Sequence, residues 1–196
     1  MKGREVQSLR YPTLVALLLG ACAKTPESPV AKTNPNPTER YEITVDLIDP
    51  PRDIQKITGV AHFGVGTRAC LPYREKIARV TIGASYKKEF ALIRAGESTY
   101  KGHIFLDWPI DQDYYGLGVC KWEITGVNAI LARGNELTQT PRLTRTEVTS
   151  QSRKVSYCRK DMRDKYDFSC FTPIDEALIK ELDAVSYKVR MSSIKA

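Results

Sequence analysis

The cysteines are the residues of this sequence whose type and spacing best support covalent chemistry. Cys70, Cys120, Cys158 and Cys170 form an even set once Cys22, which belongs to a separate N-terminal motif, is set aside. In an exported chain an even set indicates disulfides, and four cysteines allow three connectivities. A zinc site is the alternative, but the sequence has no CxxC motif and only two histidines. Of the three connectivities we predict Cys70–Cys120 with Cys158–Cys170, because the second pair is close in sequence within a hairpin-like segment.

Two histidines are the candidates for acid–base catalysis, and neither has a recognisable catalytic neighbour. His62 and His103 are not part of an H-E-x-x-H motif, and the sequence lacks the G-x-S-x-G motif of serine hydrolases. The alternating pattern around His103 places it on the outer face of a strand. Residues 64–69 match G-x-G-x-x-A, but Cys70 and Pro72 follow where a dinucleotide site needs a helix. We predict no catalytic residues, no cofactor and no enzymatic activity.

Residues 107–118 contain the densest group of acidic and aromatic side chains. Asp107, Asp111 and Asp113 supply oxygen atoms that could approach one cation. Their spacing is not that of an EF-hand loop, because the glycine and the closing glutamate are missing from their positions. Aspartate and glycine are also common in turns. We predict no metal at this cluster.

The same cluster has the amphipathic character of a protein-binding surface. Tyrosine and tryptophan side chains dominate the binding energy of many interfaces. We predict that Asp111, Asp113, Tyr114 and Tyr115 contact a protein partner. The alternative interpretation is that Trp108 and one of the tyrosines belong to the core.

The first 21 residues have the order of features expected of an export signal. Lys2, Arg4 and Arg10 form a positive start, and an apolar run over residues 14–19 follows. That run is far shorter than the roughly 20 residues of a membrane-spanning helix. We predict that residues 1–21 are a signal peptide, removed on export.

The predicted signal ends in Leu19-Gly20-Ala21-Cys22, which resembles the lipobox of bacterial lipoproteins. The resemblance implies cleavage before Cys22, thioether lipidation of its side chain, and acylation of its amino group by a fatty acid such as palmitate. Several acyl chains give stable anchoring, whereas one gives only marginal binding. Ala23 follows, which in such lipoproteins is typical of an outer-membrane location facing the periplasm. The alternative is an ordinary signal peptide that ends near a cysteine.

The charge pattern argues against a nucleic-acid partner. The full sequence has 30 basic and 23 acidic residues, a net charge of +7. The predicted signal contains three of the basic residues and one acidic residue, which leaves 27 basic, 22 acidic and a net charge of +5. These charges are interspersed rather than grouped in blocks. A basic face for anionic lipids or an acidic partner is one interpretation, and a mixed solvated surface is the other.

Residues 22–39 are predicted to be a lipidated, Pro-rich tether. Prolines at positions 26, 29, 35 and 37 occur without apolar periodicity, which is typical of an extended linker. Such a linker could hold a domain about 50 Å from the membrane. The remaining residues, 40–196, have the length of one domain with its own core.

Short alternating runs predict a mainly β domain. In residues 41–47 the side chains of Tyr41, Ile43, Val45 and Leu47 share one face. Alternation also marks residues 100–108 and 119–124, and in the second run it places Cys120, Trp122 and Ile124 inside. Several short strands at roughly ten-residue spacing indicate a sandwich or a barrel, and we predict a single antiparallel β-sandwich. Weaker strands are predicted at 59–66, 77–83, 88–94, 127–132, 153–158 and 185–192.

One short C-terminal helix is predicted after the strands. Thr172 can cap it, Pro173 suits its first turn, and Ile174, Leu178 and Leu182 form an apolar stripe. A strand that carries both Cys120 and Trp122, with a second cysteine far away, resembles an immunoglobulin-like core, an analogy of fold alone.

Three segments resemble lipoproteins of proteobacteria: residues 41–51 (YEITVDLIDPP), the step Cys70-Leu71-Pro72, and residues 113–127 (DYYGLGVCKWEITGV). Residues from 128 onward have no match. Such lipoproteins are often encoded beside phospholipase-type effectors of contact-dependent secretion systems, where they look like immunity proteins. The resemblance implies a periplasm-facing binding module that occludes a secreted effector toxin, and it carries over no catalytic residues.

Two other functions are compatible with parts of this pattern. A structural or assembly lipoprotein of the cell envelope, without a toxin partner, would have the same anchor, tether and disulfide-bonded domain. A small envelope hydrolase would need a polar catalytic cluster that the sequence does not show.

Overall fold

The computed structural model describes residues 25–75, 77–133, 137–161 and 170–196. Strands make up 52% and helices 11% of it, and the paired strands are antiparallel. The predicted mainly β, antiparallel fold is therefore confirmed. Cys22 and the predicted signal peptide lie outside the described residues.

Within those ranges there are thirteen strands and two α-helices. The helices are α1 (Arg145–Thr149) and α2 (Glu176–Val185). The strands, in chain order, are β1 (Arg40–Ile48), β2 (Ile54–Val65), β3 (Tyr73–Glu75), β4 (Val80–Thr81), β5 (Ser85–Ala91), β6 (Ile93–Arg94), β7 (Thr99–Phe105), β8 (Trp122–Arg133), β9 (Leu137–Gln139), β10 (Arg142–Thr144), β11 (Arg153–Arg159), β12 (Cys170–Phe171) and β13 (Ser186–Lys195).

Two large sheets and a small hairpin contain these strands. The first sheet has the order β12-β11-β13-β1-β7-β6, and the second has the order β10-β8-β2-β5 with β9 also paired to β8. Strands β3 and β4 form the separate hairpin.

The two sheets face each other across one apolar core. The alternation predicted for β1 is confirmed, because its four inward side chains are buried and pack against residues of the second sheet. Burial of apolar surface between sheets is the main stabilising contribution in such a fold. The fully or almost fully buried side chains include Ile43, Val45, Phe63, Ile104, Val127, Leu131, Leu143, Tyr187, Val189 and Met191.

One edge of the two-sheet structure is closed by the chain itself. Strand β5 belongs to the second sheet and β6 to the first, with one residue between them. The ring of Phe90 lies against the backbone there, so that a Cβ at Gly59 would be 2.2 Å from it. A Cβ at Gly102 would be 2.3 Å from the carbonyl oxygen of Ala91. Glycine is required at both positions for this close approach.

Helix α1 packs against strands of both sheets. Thr144 and Glu147 form a capping box at its first turn, and Val148 is fully buried. The hydroxyl of Ser193 on β13 donates to the carbonyl oxygen of Val148. The sequence predicted only the C-terminal helix, because five residues are too few to show helical periodicity.

The C-terminal helix begins later than predicted. Helix α2 begins at Glu176, and the carboxylate of Asp175, rather than Thr172, caps it by accepting from the N–H of Leu178 at 2.7 Å. Ile174 precedes the helix and is 91% exposed, so the apolar stripe reduces to Leu178 and the buried Leu182. Thr172 and Asp175 both have side chains suited to an N-cap, so the sequence cannot distinguish them and tertiary packing determines which one caps the helix.

Both predicted disulfides are present. Cys158–Cys170 joins directly opposed residues of β11 and β12. Cys70–Cys120 lies in a separate small cluster with Leu71 and Ile82, outside the core between the sheets. The immunoglobulin analogy therefore does not extend to this disulfide, because β8 begins only at Trp122 and Cys120 belongs to the preceding loop.

Candidate functional site

The loop between β7 and β8, residues 106–121, contains the four predicted partner-binding residues. Asp113 organises its tip, because its carboxylate accepts from the backbone N–H groups of Tyr115, Gly116, Leu117 and Gly118 at 2.7–3.2 Å. The N–H of Tyr115, together with the other three, holds the pKa of Asp113 below its usual value. This carboxylate is therefore committed to the loop's own backbone.

Asp111 and Tyr114 attach the loop to the start of β8. One carboxylate oxygen of Asp111 accepts from the backbone N–H of Trp122 at 2.8 Å. The Tyr114 hydroxyl donates to the carbonyl oxygen of Ile110 at 3.2 Å and accepts from the indole N–H of Trp122 at 3.1 Å. The two rings meet edge to face with centroids 6.4 Å apart. Both residues thus have a structural role in addition to any contact with a partner.

Tyr115 connects this loop to the N-terminal segment of the domain. Its hydroxyl donates to the carbonyl oxygen of Glu27 at 2.6 Å. Burial, followed by the negative charge of Glu27, raises the pKa of Tyr115. The four predicted residues are therefore close together, and each has hydrogen-bond partners within the protein.

Residues 27–39, here called the strap, lie along the domain. The backbone N–H of Asn34 donates to the carbonyl oxygen of Trp108 at 2.6 Å, and that of Ile110 donates to the carbonyl oxygen of Lys32 at 2.8 Å. Pro29 is buried, and Ala31 packs against the main core. The strap is therefore held by backbone hydrogen bonds of the kind that join strands.

Asp107 clamps the end of the strap. Its carboxylate accepts from the backbone N–H groups of Thr38 at 2.8 Å and Glu39 at 3.0 Å, and from the Thr38 hydroxyl at 3.2 Å. The side-chain amide of Asn34 adds a longer contact of 3.4 Å. Burial by itself would raise the pKa of Asp107, but the Thr38 and Glu39 N–H groups outweigh it and lower the pKa.

The predicted tether therefore needs correction in the part that the structure describes. Of residues 22–39, positions 27–39 are docked rather than extended away from the domain. The reason is that carbonyl and N–H groups of the loop pair with the strap, while prolines, which lack an N–H, occupy unpaired positions. Sequence patterns did not reveal this, since Asp107 lies 69 positions from Thr38.

The Cys70–Cys120 disulfide fixes the other end of the β7–β8 loop. The backbone N–H of Cys120 donates to the carbonyl oxygen of Gln112 at 3.0 Å, which closes the loop upon itself. The disulfide then ties this closed loop to the segment after β2. A loop held in this way loses little conformational entropy when it binds a partner.

A polar cleft of about 540 Å³ lies beside the strap and the loop. Glu123 on β8 and Arg145 on α1 form an ion pair in its wall. Asp111 and Glu39 add carboxylates, so the charged groups that line it are mainly acidic. The shape and lining suit a polar or basic protruding side chain of a partner protein. The principal lining residues are Asn34, Glu39, Asp111, Glu123, Arg145 and Thr149.

The two histidines are on different sheets and do not form one site. His62 is on β2, where burial, followed by the charges of Arg142 and Lys87, lowers its pKa. His103 is on β7, with Nε2 3.7 Å from a carboxylate oxygen of Glu42. In the part of the chain that the structure describes, no group of three or more histidine, cysteine, aspartate or glutamate side chains is placed to hold a metal ion.

This chain matches no model of a protein family, no curated sequence and no solved structure. None of the helices in the described ranges is long and apolar enough to cross a membrane.

Proposed function

We propose that this chain is a lipoprotein of the cell envelope, anchored through Cys22, whose periplasm-facing domain is a protein-binding module. The single observation that carries this proposal is the double fixation of the β7–β8 loop. Asp111 and Asp113 hold it from within, and the strap and the Cys70–Cys120 disulfide hold it from outside. A rigid surface of this kind lowers the entropic cost of binding.

The distribution of polar groups supports binding rather than catalysis. Acid–base or nucleophilic catalysis requires a base within hydrogen-bond reach of a nucleophile or substrate proton. His62 and His103 lie on separate sheets, and the carboxylates of Asp107 and Asp113 are committed to backbone N–H groups. These contacts stabilise a surface and occupy the carboxylates of Asp107 and Asp113.

The specific role that we propose is immunity against a secreted, phospholipase-type effector. The resemblance of residues 41–51, 70–72 and 113–127 to immunity-like lipoproteins supports this role. The third of these segments forms most of the fixed loop, next to the cleft. An effector that acts on lipids must work at the membrane surface, and a lipid-anchored inhibitor is already concentrated there. To cover the active site of such an effector, the domain needs to bind it tightly and needs no catalytic residues of its own.

The first experiment tests protection. The chain is expressed in the periplasm with a phospholipase-type effector encoded beside its gene, and survival and complex formation are measured. We expect rescue of growth and a stable complex at micromolar concentrations. Continued killing without a complex contradicts the immunity role. An envelope defect after deletion of the gene, in cells that meet no effector, supports the structural or assembly role instead.

The second experiment tests the cleft as the contact surface. Thr149→Trp fills the cleft from α1, while Thr146→Trp adds the same bulk to an exposed position of the same helix outside the cleft. We expect the first change to weaken effector binding at least about tenfold and the second to change it little. Equal binding by both variants would exclude the cleft as the interface. Thermal unfolding of both variants measures any loss of stability.

A further inference from the structure

Three of the eleven exposed large apolar side chains of the described residues lie in one short hairpin, β3–β4. Tyr73, Ile77 and Val80 belong to it, and Ile77 is 95% exposed. Leu117, near the end of the β7–β8 loop, is about half exposed and lines the same hollow as Tyr73 and Ile77. Tyr73, Ile77, Val80 and Leu117 are here called the hairpin surface. Exposed apolar residues grouped in this way mark an interaction site.

Three arginines border the hairpin surface. Arg68, Arg74 and Arg79 are exposed, and no carboxylate of the described residues forms a salt bridge with any of them. The acidic residue of the hairpin is Glu75, whose carboxylate accepts a hydrogen bond from the backbone N–H of Ile77 at 3.2 Å. Glu75 is exposed and lines the larger hollow together with Arg68 and Arg74, so the rim of the hairpin surface has a net positive charge, and its centre is apolar.

Two hollows flank the hairpin. One, of about 850 Å³, is lined by Arg68, Arg74 and Ile77. The other, of about 690 Å³, is lined by Arg68, Arg79 and Val80. Each hollow thus combines guanidinium groups with apolar side chains. This combination complements a phospholipid, which joins an anionic phosphate to acyl chains.

The chain enters the domain at the same place. Thr25 and Pro26 line the larger hollow, and the strap begins immediately afterwards with the Tyr115–Glu27 hydrogen bond. Cys22 precedes Thr25 by three residues, and three residues of extended chain span at most about 11 Å. A lipid on Cys22 would therefore keep the hairpin surface near the bilayer. The docked strap allows no long tether between them.

The geometry points to the hairpin surface as a second membrane contact, in which Ile77 and its apolar neighbours enter the interfacial region of an anionic phospholipid leaflet. Arg68, Arg74 and Arg79 bind the phosphate groups. This contact would orient the domain, with its cleft and fixed loop, on the membrane. The orientation of the domain on the membrane rests on lipidation at Cys22, which belongs to the proposed function. The affinity of the hairpin surface for lipid does not depend on that lipidation.

The test uses the Cys22→Ser chain, exported with an ordinary signal peptide, so that no acyl chain contributes to binding. Vesicles consist of phosphatidylcholine alone or of an equal mixture with phosphatidylglycerol. We expect binding to the mixed vesicles that weakens with added salt. Arg74→Gln should weaken binding about fivefold, and Arg153→Gln, at an exposed position on β11, should change it little.

Depth of insertion provides the decisive readout. Both native tryptophans, Trp108 and Trp122, are buried, so the change in emission on vesicles, relative to the chain without the new tryptophan, reports the environment of the new side chain. Ile77→Trp should shift its emission to the blue on mixed vesicles and be quenched by lipids with brominated acyl chains. Ile174→Trp is the matched control, because Ile174 is 91% exposed but does not line the hollow.

Three results would overturn the inference: no binding of the Cys22→Ser chain to mixed vesicles, equal quenching of the two tryptophan variants, or loss of effector binding but not of vesicle binding in Ile77→Asp. The last result would make the hairpin surface a protein-docking site. Mass spectrometry of the native chain tests lipidation at Cys22 separately. Failure of the proposed anchor is therefore distinguishable from failure of the membrane contact.

Discussion

Substitution of Asp107 by alanine should release the end of the strap. The carboxylate of Asp107 accepts three hydrogen bonds of 2.8–3.2 Å from Thr38 and Glu39, and a longer contact comes from Asn34. Alanine removes every one of these acceptors. The backbone pairing around Trp108 and Asn34 remains, so we expect local opening of residues 34–39 rather than unfolding of the domain.

The expected size of the effect follows from the kind of hydrogen bond and its exposure. A hydrogen bond to a charged group contributes about 1.5–3 kcal/mol where water is excluded. The strap end is partly exposed, so water replaces much of each lost bond. We therefore expect the opening free energy of residues 34–39 to fall by about 1–2 kcal/mol in total, which corresponds to an equilibrium constant for opening that is about 5- to 30-fold larger.

Amide hydrogen exchange measures this opening directly. In Asp107→Ala the N–H groups of Thr38 and Glu39 should exchange about 5- to 30-fold faster, while the amides of β1 beyond Arg40 keep their protection. Asp113→Ala is the matched control, because that carboxylate also accepts backbone N–H groups but only within its own loop. Unchanged exchange in Asp107→Ala, or equal acceleration by both variants, would refute the clamp.

The same clamp should depend on pH with a defined sign. The folded-state pKa of Asp107 is lowered, so the unfolded state binds the proton more readily. Its contribution is therefore fully present above its unfolded pKa of about 3.9 and is lost as the pH falls through the lowered value. At neutral pH the amides of Thr38 and Glu39 should exchange more slowly than those of an unstructured chain at the same pH. They should lose this protection only in acid.

Three further predictions concern the stability of the domain. Replacement of Cys158 and Cys170 by alanine should lower the free energy of unfolding in urea by about 3 kcal/mol, because the bridge spans 12 positions. Leu143→Ala should cost about 2–5 kcal/mol, since Leu143 is fully buried, whereas Leu117→Ala at the surface should change the same quantity by less than about 0.5 kcal/mol. Burial and two nearby cations lower the pKa of His62, so stability present above about pH 6.5 should decline as the pH falls, and His62→Gln should reduce that slope.

The docked strap changes how the anchor and the domain are related. A free linker over residues 22–39 would let the domain sample many orientations far from the bilayer. Docking of residues 27–39 leaves only a few residues between Cys22 and the folded surface. The side of the domain that carries Thr25 and Pro26 then faces the membrane, if Cys22 is lipidated as proposed.

Local pattern in the sequence was sufficient for β1, its inward face and the disulfides, but not for every strand boundary: the predicted strands 119–124 and 127–132 are one strand, β8, and within 77–83 only Val80–Thr81 is a strand. Strict alternation in β1 predicts its buried side, because successive side chains of a strand point to opposite faces. An even set of cysteines without a metal-binding motif predicts disulfides, and both proposed pairs are present. Composition and the N-terminal motif led to the prediction of export and of an anchor at Cys22, which remains a prediction.

Only the tertiary structure decided what the polar loop residues do. Asp111, Asp113, Tyr114 and Tyr115 have the composition of a binding surface, yet each of them forms hydrogen bonds inside the protein. The role of Asp107 and the docking of the strap depend on partners 68 and 69 positions away. The spacing of residues in the sequence identifies neighbours within one helix or strand. A carboxylate, however, can accept a hydrogen bond from any donor that folding brings within about 3 Å. The physical reason is that a hydrogen bond depends on distance in space and not on distance along the chain.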